Sequence, residues 1–129
     1  MKITATNQLC DIIRETSFAI HCYHRNGPME KIYEHALVHR LRNQGLEVKP
    51  QHPLSVRDED GTLLGEFFAD LFIEGRLIVE LKAARAVAEE HIAQLLGYLR
   101  SGSIETGLLI NFGSPRRLVK KYLMSEPRA

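Results

Sequence analysis

The sequence contains no tryptophan, only two cysteines, and no apolar run long enough to cross a membrane. A membrane-spanning helix needs about 20 predominantly apolar residues, so we expect no membrane segment. Cys10 and Cys22 fall within one predicted helix, where a rise of about 1.5 Å per residue places them about 18 Å apart. Because a disulfide requires Cα atoms within about 7 Å of each other, both cysteines are predicted to be free thiols.

An excess of either charge is also missing, because 17 Lys and Arg residues face 16 Asp and Glu residues and leave a formal charge of +1. The chain therefore lacks the basic field of a general nucleic-acid binder, and a charged site has to come from a local cluster. Free thiols are typical of reducing compartments, and the polar first residues do not resemble a secretory signal, so the expected location is cytoplasmic. The 129 residues, 44% of them hydrophobic, predict one globular domain over residues 1–129.

Hydrophobic periodicity predicts the element order α-α-β-β-β-α-β-α. Apolar residues at helical spacing predict helices over about residues 6–23, 28–45 and 87–100. Ser114 and Pro115 have the residue types that begin a helix, and they predict a last helix. Strand patterns cover residues 54–56, 62–73, 77–82 and 107–112. Because a helix connects the last two strands, these are expected to be parallel, and the first three antiparallel. This is an α/β fold with a mixed central sheet flanked by helices.

Two acids interrupt the apolar hairpin formed by the second and third strands. Asp70 lies within the apolar run 67–73, where an acid is costly unless it is paired or used, and Glu80 lies in the third strand. Both acids are equally far from Gly75 along the chain. A three-residue turn centred on this glycine would place them directly opposite each other. A two-residue turn would instead pair Asp70 with Val79.

Two opposed carboxylates repel each other strongly unless a cation lies between them. A hard divalent ion such as Mg²⁺ binds one or two carboxylates and keeps several waters. Lys82 lies on the same strand face as Glu80 and adds an ammonium group beside the pair. The pattern predicts a metal site at Asp70 and Glu80; the alternative is a structural acid pair whose charge Lys82 neutralises.

Polar residues on two of the helices are placed to complete such a site. Glu30 lies about 20° from Leu37 and Leu41 on a helical wheel, which puts an acid on the inward stripe. Its alternative role is to stabilise the positive N-terminal end of the helix dipole. Gln94 and Tyr98 are four residues apart and share one face of the third helix. From there Gln94 could donate to a phosphate, although both residues also suit an ordinary helix surface.

These ordered motifs resemble those of a known nuclease superfamily. Asp70, Glu80-Leu81-Lys82 and Gln94-Leu95-Leu96-Gly97-Tyr98 are similar to the PD-(D/E)XK nuclease superfamily, in its RecB-like branch with a Q-x-x-x-Y helix. More closely, Gly27-x-x-Glu30-x-x-Tyr33, Ala69-Asp70-Leu71 and Leu108-Leu109-Ile110-Asn111-Phe112-Gly113 resemble the GxxExxY family within it. The resemblance covers about residues 21–117 and implies a restriction-endonuclease-like αβββαβ core.

The resemblance also implies a role for each residue near the acids. Asp70 and Glu80 would bind Mg²⁺ or Mn²⁺, with the carbonyl group of Leu81 as a further ligand. Lys82 would orient the attacking water or help to deprotonate it. Glu30 would contact the metal through a water molecule or hold a second ion.

The implied substrate is nucleic acid, contacted along its backbone by Gln94 and Tyr98. Phe68 departs from the family pattern, which often has Arg before Ala-Asp, so that one phosphate contact is missing. We expect a Mg²⁺-dependent nuclease-like domain that hydrolyses phosphodiester bonds in DNA, although the sequence does not separate DNA from RNA. The alternative is a non-catalytic nucleic-acid-binding or protein-interaction module that keeps the nuclease fold. A homo-oligomer is compatible with either function.

Overall fold

A five-stranded mixed sheet forms the centre of the structure, a computed structural model that describes residues 5–25, 30–113 and 119–124. The sheet has the strand order β1-β2-β3-β4-β5, and helices cover both of its faces. The elements in chain order are α1 (Thr6–His24), α2 (Glu30–Asn43), β1 (Val48–Arg57), β2 (Leu63–Ile73), β3 (Leu77–Lys82), α3 (Glu89–Gly102), β4 (Thr106–Asn111) and β5 (Val119–Leu123).

The strand directions follow from the connections between the strands. β1, β2 and β3 are joined by turns and pair antiparallel, whereas α3 lies between β3 and β4, which pair parallel. This confirms the predicted α/β class and the restriction-endonuclease-like αβββαβ order. Within the described ranges, no helix has the length and apolar character needed to span a membrane, and both cysteines are free thiols.

The two faces of the sheet bury separate hydrophobic clusters. Alternate residues of β3 face opposite sides, so that Val79 packs with α1 and α2, while Ile78 packs with Leu95 and Leu99 of α3. β3 and β4 are covered on both faces, which explains their nearly continuous apolar sequences. Helices on both sides therefore hold the central strands firmly in place.

The β2–β3 hairpin turns through three residues, the first of the two turn lengths that the sequence left open. Ile73 pairs with Leu77 and Leu71 with Val79 around Gly75, which has a left-handed φ of 64°. The ladder between these two strands ends at the Leu71–Val79 pair. Beyond it, β2 continues to pair with β1, and β3 continues to pair with β4. The sheet therefore opens into a fork immediately after this pair.

The predicted last helix is wrong, because Val119–Leu123 forms strand β5 antiparallel to β4. Ser114 and Pro115, on which the prediction depended, lie outside the described residues. β5 covers the edge of β4 and satisfies backbone groups that would otherwise remain unpaired. A strand of only five residues leaves little trace in the local sequence.

Gly113 allows the loops after β3 and β4 to come into close contact. A Cβ atom at this residue would lie 2.2 Å from the backbone nitrogen of Ala84, a distance that only backbone movement could relieve. We expect Gly113→Ala to lower the free energy of unfolding by roughly 2 kcal/mol or more. Urea unfolding checks this.

Gly97 provides the matched control for this substitution, since a Cβ atom there meets nothing within 4 Å. Gly97 lies inside α3, where alanine is favoured over glycine by roughly 0.5 to 1 kcal/mol. Gly97→Ala should therefore be neutral or stabilising. Equal losses in the two variants would contradict the close contact at Gly113.

Candidate active site

Asp70 and Glu80 are the next residues beyond Leu71 and Val79, the ladder pair that lies farthest from the β2–β3 turn. The backbone N–H of Asp70 donates to Glu80 Oε1 over 3.1 Å, and the backbone N–H of Leu81 donates to Asp70 Oδ2 over 2.8 Å. Each carboxylate thus reaches across the opening fork and bonds the strand that carries the other acid. The structure brings together the two acids that the sequence analysis placed opposite each other.

Glu80 is almost entirely withdrawn from water, with 4% of its surface exposed. Burial raises its pKa to about 9, and the neighbouring charge of Asp70 acts in the same direction, whereas the positive charge of Lys82 opposes both. A carboxyl group with this pKa is protonated at neutral pH unless a cation compensates its charge. The pair is therefore an electrostatic site that favours positive charge.

The Leu81 carbonyl shares the edge of β3 that faces the fork. The N–H and C=O groups of one strand residue point to the same side, and the N–H of Leu81 points to Asp70. By contrast, the carbonyl of the next residue, Lys82, faces β4 and accepts the N–H of Phe112 over 2.8 Å. A backbone oxygen thus lies on the same side as the two acids.

Lys82 is half-buried at the end of β3, on the strand face that carries Glu80. Within the described ranges its ammonium group makes no hydrogen bond or ion pair. The loop that follows it is fixed, because Asn111 Oδ1 accepts the backbone N–H groups of Ala84 and Gly113 over 3.1 and 3.0 Å. A positioned and available ammonium group therefore lies beside the carboxylates.

Helix α2 contributes two acids to a cavity of about 180 Å³ that Asp70 and Leu81 also line. Glu30 lines this cavity but is exposed, because it lies in the first turn of α2, at the rim of the cavity. The buried acid of the helix is Glu34, which the sequence analysis missed. Its signal was available, since Glu34 lies about 20° from Leu41 on the same helical wheel.

Two partners satisfy the buried carboxylate of Glu34. Lys31 Nζ donates to Oε2 over 3.0 Å, and Gln51 Nε2 donates to Oε1 over 2.9 Å. The hydrogen bond from Lys31 to Glu34 and the negative charge of Glu34 raise the pKa of Lys31. Gln51 has a φ of 50°, in the left-handed region that non-glycine residues seldom adopt. Its place is therefore set by long-range contacts.

Helix α3 brings Tyr98 to the acids, whereas Gln94 remains exposed. The ring of Tyr98 stacks on that of Phe67, with centroids 4.1 Å apart. Burial, and then the charges of Glu80 and Asp70, raise the pKa of Tyr98, so that its hydroxyl stays protonated and can donate. Gln94 lies one turn earlier and makes no hydrogen bond to the described part of the chain.

Sequence comparison identifies the family to which this arrangement belongs. Residues 7–122 match the sequence profile of the PD-(D/E)XK nuclease superfamily. The chain belongs to this superfamily. Members of this superfamily are nucleases, which generally use divalent metal ions. The assignments to the RecB-like branch and to the GxxExxY family stay predictions.

A solved structure shares the fold of this chain. The protein described as "Crystal structure of SSO0001" is 22% identical, with a TM-score of 0.55, over 77% of this chain. The alignment covers 50% of that protein, so this chain spans about half its length, and the similarity concerns the fold alone. No curated protein matches the chain significantly in sequence.

The oxygen atoms at the fork fit the kind of metal ion that superfamily members use. Mg²⁺ and Mn²⁺ favour carboxylate, carbonyl and water oxygens, and the fork offers the carboxylates of Asp70 and Glu80 and the carbonyl of Leu81. Among the described residues, no three His, Cys, Asp or Glu side chains group closely enough to hold an ion. The oxygen donors at the fork are of the kind that Mg²⁺ binds together with several waters.

Proposed function

We propose that the chain is a Mg²⁺- or Mn²⁺-dependent nuclease that hydrolyses phosphodiester bonds in DNA. The observation that carries the proposal is the juxtaposition, at one fork of the sheet, of Asp70, the buried Glu80 and the half-buried Lys82, whose ammonium group has no ion pair among the described residues. A pair of acids with only a structural role would cost less free energy at the surface, where neither carboxylate is desolvated and neither pKa is raised by burial.

In this proposal Asp70, Glu80 and the Leu81 carbonyl hold the divalent ion. Such an ion, when bound, polarises the phosphoryl oxygens and lowers the pKa of a bound water. Glu80 would hold the ion as a carboxylate, with its proton released to solvent, and the Lys82 ammonium would stabilise the negative charge that develops on the phosphate or orient the attacking water. Glu30, at the rim of the same cavity, contacts the ion through water or holds a second one.

Helix α3 supplies the proposed contacts to the nucleic-acid backbone. Tyr98 is held against Phe67 and keeps a protonated hydroxyl that can donate to a phosphate oxygen. Gln94 is exposed one turn earlier and is free to donate to the next phosphate along the strand. The two free thiols support a cytoplasmic location, and a homo-oligomer is compatible with this arrangement.

One observation favours a second function, that of a non-catalytic binding or interaction module. Both acids already accept backbone N–H groups within the protein, so that they also replace the ladder where the strands separate. A module that used them only in this way would bind nucleic acid or protein without cleaving it.

A cleavage assay separates the two functions. Duplex DNA, single-stranded DNA and RNA are incubated with Mg²⁺, with Mn²⁺ or with EDTA, and Asp70→Asn serves as the inactive control. The proposed function requires DNA cleavage that depends on the cation and is lost in Asp70→Asn. Cleavage of RNA alone would assign a different substrate, and no cleavage of any substrate would favour the non-catalytic module.

A further inference from the structure

Lys31 and Lys49 form two ion pairs of the same type in very different surroundings. The side chains of these lysines are 58% and 56% exposed, and each ammonium group lies near a glutamate, at 3.0 Å from Glu34 and 3.6 Å from Glu47. The glutamates differ, since the side chain of Glu34 is 7% exposed and that of Glu47 61%. Surface pairs like the second contribute little to stability, whereas Glu34 is buried and its carboxylate is held in one position.

Gln51 explains why Glu34 is fixed. The strand register pairs Pro50 with Leu71 and His52 with Ala69, so that Gln51 lies across from Asp70 although these two make no ladder pair. Gln51 departs from the extended conformation at this point, and its side chain donates to Glu34 over 2.9 Å. Gln51, at one end of the hydrogen-bonded series Gln51–Glu34–Lys31, thus lies in strand β1 beside Asp70.

Lys31, at the other end of this hydrogen-bonded series, lies at the candidate active site. Lys31 and Glu34 line the same cavity as Glu30, Asp70 and Leu81. An ammonium group has three donors, and Glu34 accepts from one of them, which leaves two for a ligand. The other charged residues that line this cavity in the described part of the chain are acids, which would repel the phosphates of a nucleic acid in the absence of an added positive charge.

We propose that Lys31 contacts a backbone phosphate of the substrate and that Glu34 and Gln51 are positioning residues for its ammonium group. This inference rests on the proposed function, which supplies the substrate. It places the nucleic-acid strand that is cut along the α2 side of the cavity. Lys82 then acts at the reacting phosphate, and Lys31 holds a neighbouring one.

The salt dependence of DNA binding tests this contact without requiring cleavage. Fluorescence anisotropy with a labelled 20-base-pair duplex is measured in EDTA at several NaCl concentrations for the parent, Lys31→Met, Lys31→Arg and Lys49→Met. Each phosphate contact to duplex DNA contributes about 0.9 to the slope of log K against log salt. We expect Lys31→Met to reduce the slope by about 0.9, and Lys31→Arg and Lys49→Met to keep the parent value.

A double-mutant cycle tests the positioning role of Glu34. Glu34→Gln should weaken DNA binding in the parent but have little further effect in Lys31→Met, because its role depends on the ammonium group. A merely structural role would give the same loss in both backgrounds. Gln51→Leu should behave like Glu34→Gln.

The outcomes separate this inference from the proposed function. An unchanged salt slope in Lys31→Met, with a parent that cleaves DNA, would overturn the contact and leave the nuclease. A slope that depends on Lys31 in a parent that cleaves nothing would support the contact and overturn the nuclease. A parent that neither binds nor cleaves the duplex would overturn both.

Discussion

Asp70→Asn should abolish both the cleavage of DNA and the stabilisation of the protein by Mg²⁺, while it leaves the fold intact. The asparagine carbonyl oxygen can still accept the N–H of Leu81, so the hairpin keeps its hydrogen bond, but the proposed metal site loses a charged ligand. Substitutions in the outer shell of metal sites cost 10 to 100-fold, and we therefore expect a loss of cleavage of more than about 100-fold. Thermal unfolding should show no rise in Tm with Mg²⁺, against roughly 5 to 10 °C for the parent at saturation.

Lys82→Ala should separate the two properties that Asp70→Asn removes together. The ammonium group is not a metal ligand in the proposed mechanism, so the rise in Tm with Mg²⁺ should remain, while cleavage falls by roughly 100-fold or more. Lys49→Ala serves as the control, because it removes a lysine whose only described ion pair lies at the surface. If the parent shows no metal response and Asp70→Asn simply destabilises it, the acids are structural and the binding module is the better assignment.

Glu80→Gln should remove a strong pH dependence of stability in the metal-free protein. The pKa of Glu80 is about 9 in the folded chain against 4.5 for an ordinary glutamate, so below about pH 4.5 both the folded and the unfolded chain carry the proton. As the pH rises towards 9, the unfolded chain releases it first, and the free energy of unfolding falls. The fall should be on the order of 3 to 6 kcal/mol, and urea unfolding at pH 5, 7 and 9 measures it.

Glutamine resembles the protonated carboxyl group in shape and cannot ionise, so the variant should be nearly as stable at pH 9 as at pH 5. Glu47→Gln, which changes an exposed acid, should keep the pH dependence of the parent. A parent whose stability does not fall between pH 5 and pH 9 would show that Glu80 ionises in the folded chain without a compensating cation.

The central part of the fold could be predicted because its signals are local. Apolar runs bounded by turn residues indicated β2 and β3, and the equal distances of Asp70 and Glu80 from Gly75 fixed the register once the turn had three residues. The parallel pairing of β3 and β4 followed from the helix between them. These features depend on neighbours along the chain, which sequence patterns record directly.

The remaining features depend on contacts between distant segments. Glu30 and Glu34 each lie about 20° from Leu41 on the helical wheel, but only the folded structure shows that Glu30 remains at the rim while Glu34 is buried and accepts a hydrogen bond from Gln51. The side chain of Gln51 turns to α2 through an unusual backbone conformation that its sequence does not indicate. β5 is a separate case, because it pairs with β4, the strand directly before it, but its five residues are too few to give a clear strand pattern.

The fork in the sheet divides the candidate site between two parts of unequal local stability. Asp70 lies where β2 leaves β3, and from Leu63 to Ala69 β2 pairs only with β1 among the described strands, whereas Glu80 lies in a strand that is buried on both faces. A two-stranded ribbon opens more readily than the centre of a sheet. Amide protons at the exposed far end of the ribbon, in residues 63–66, should therefore exchange with solvent faster than those of β3, while the ribbon next to Asp70 is held by the packing of Leu54 and Ala69 against α3.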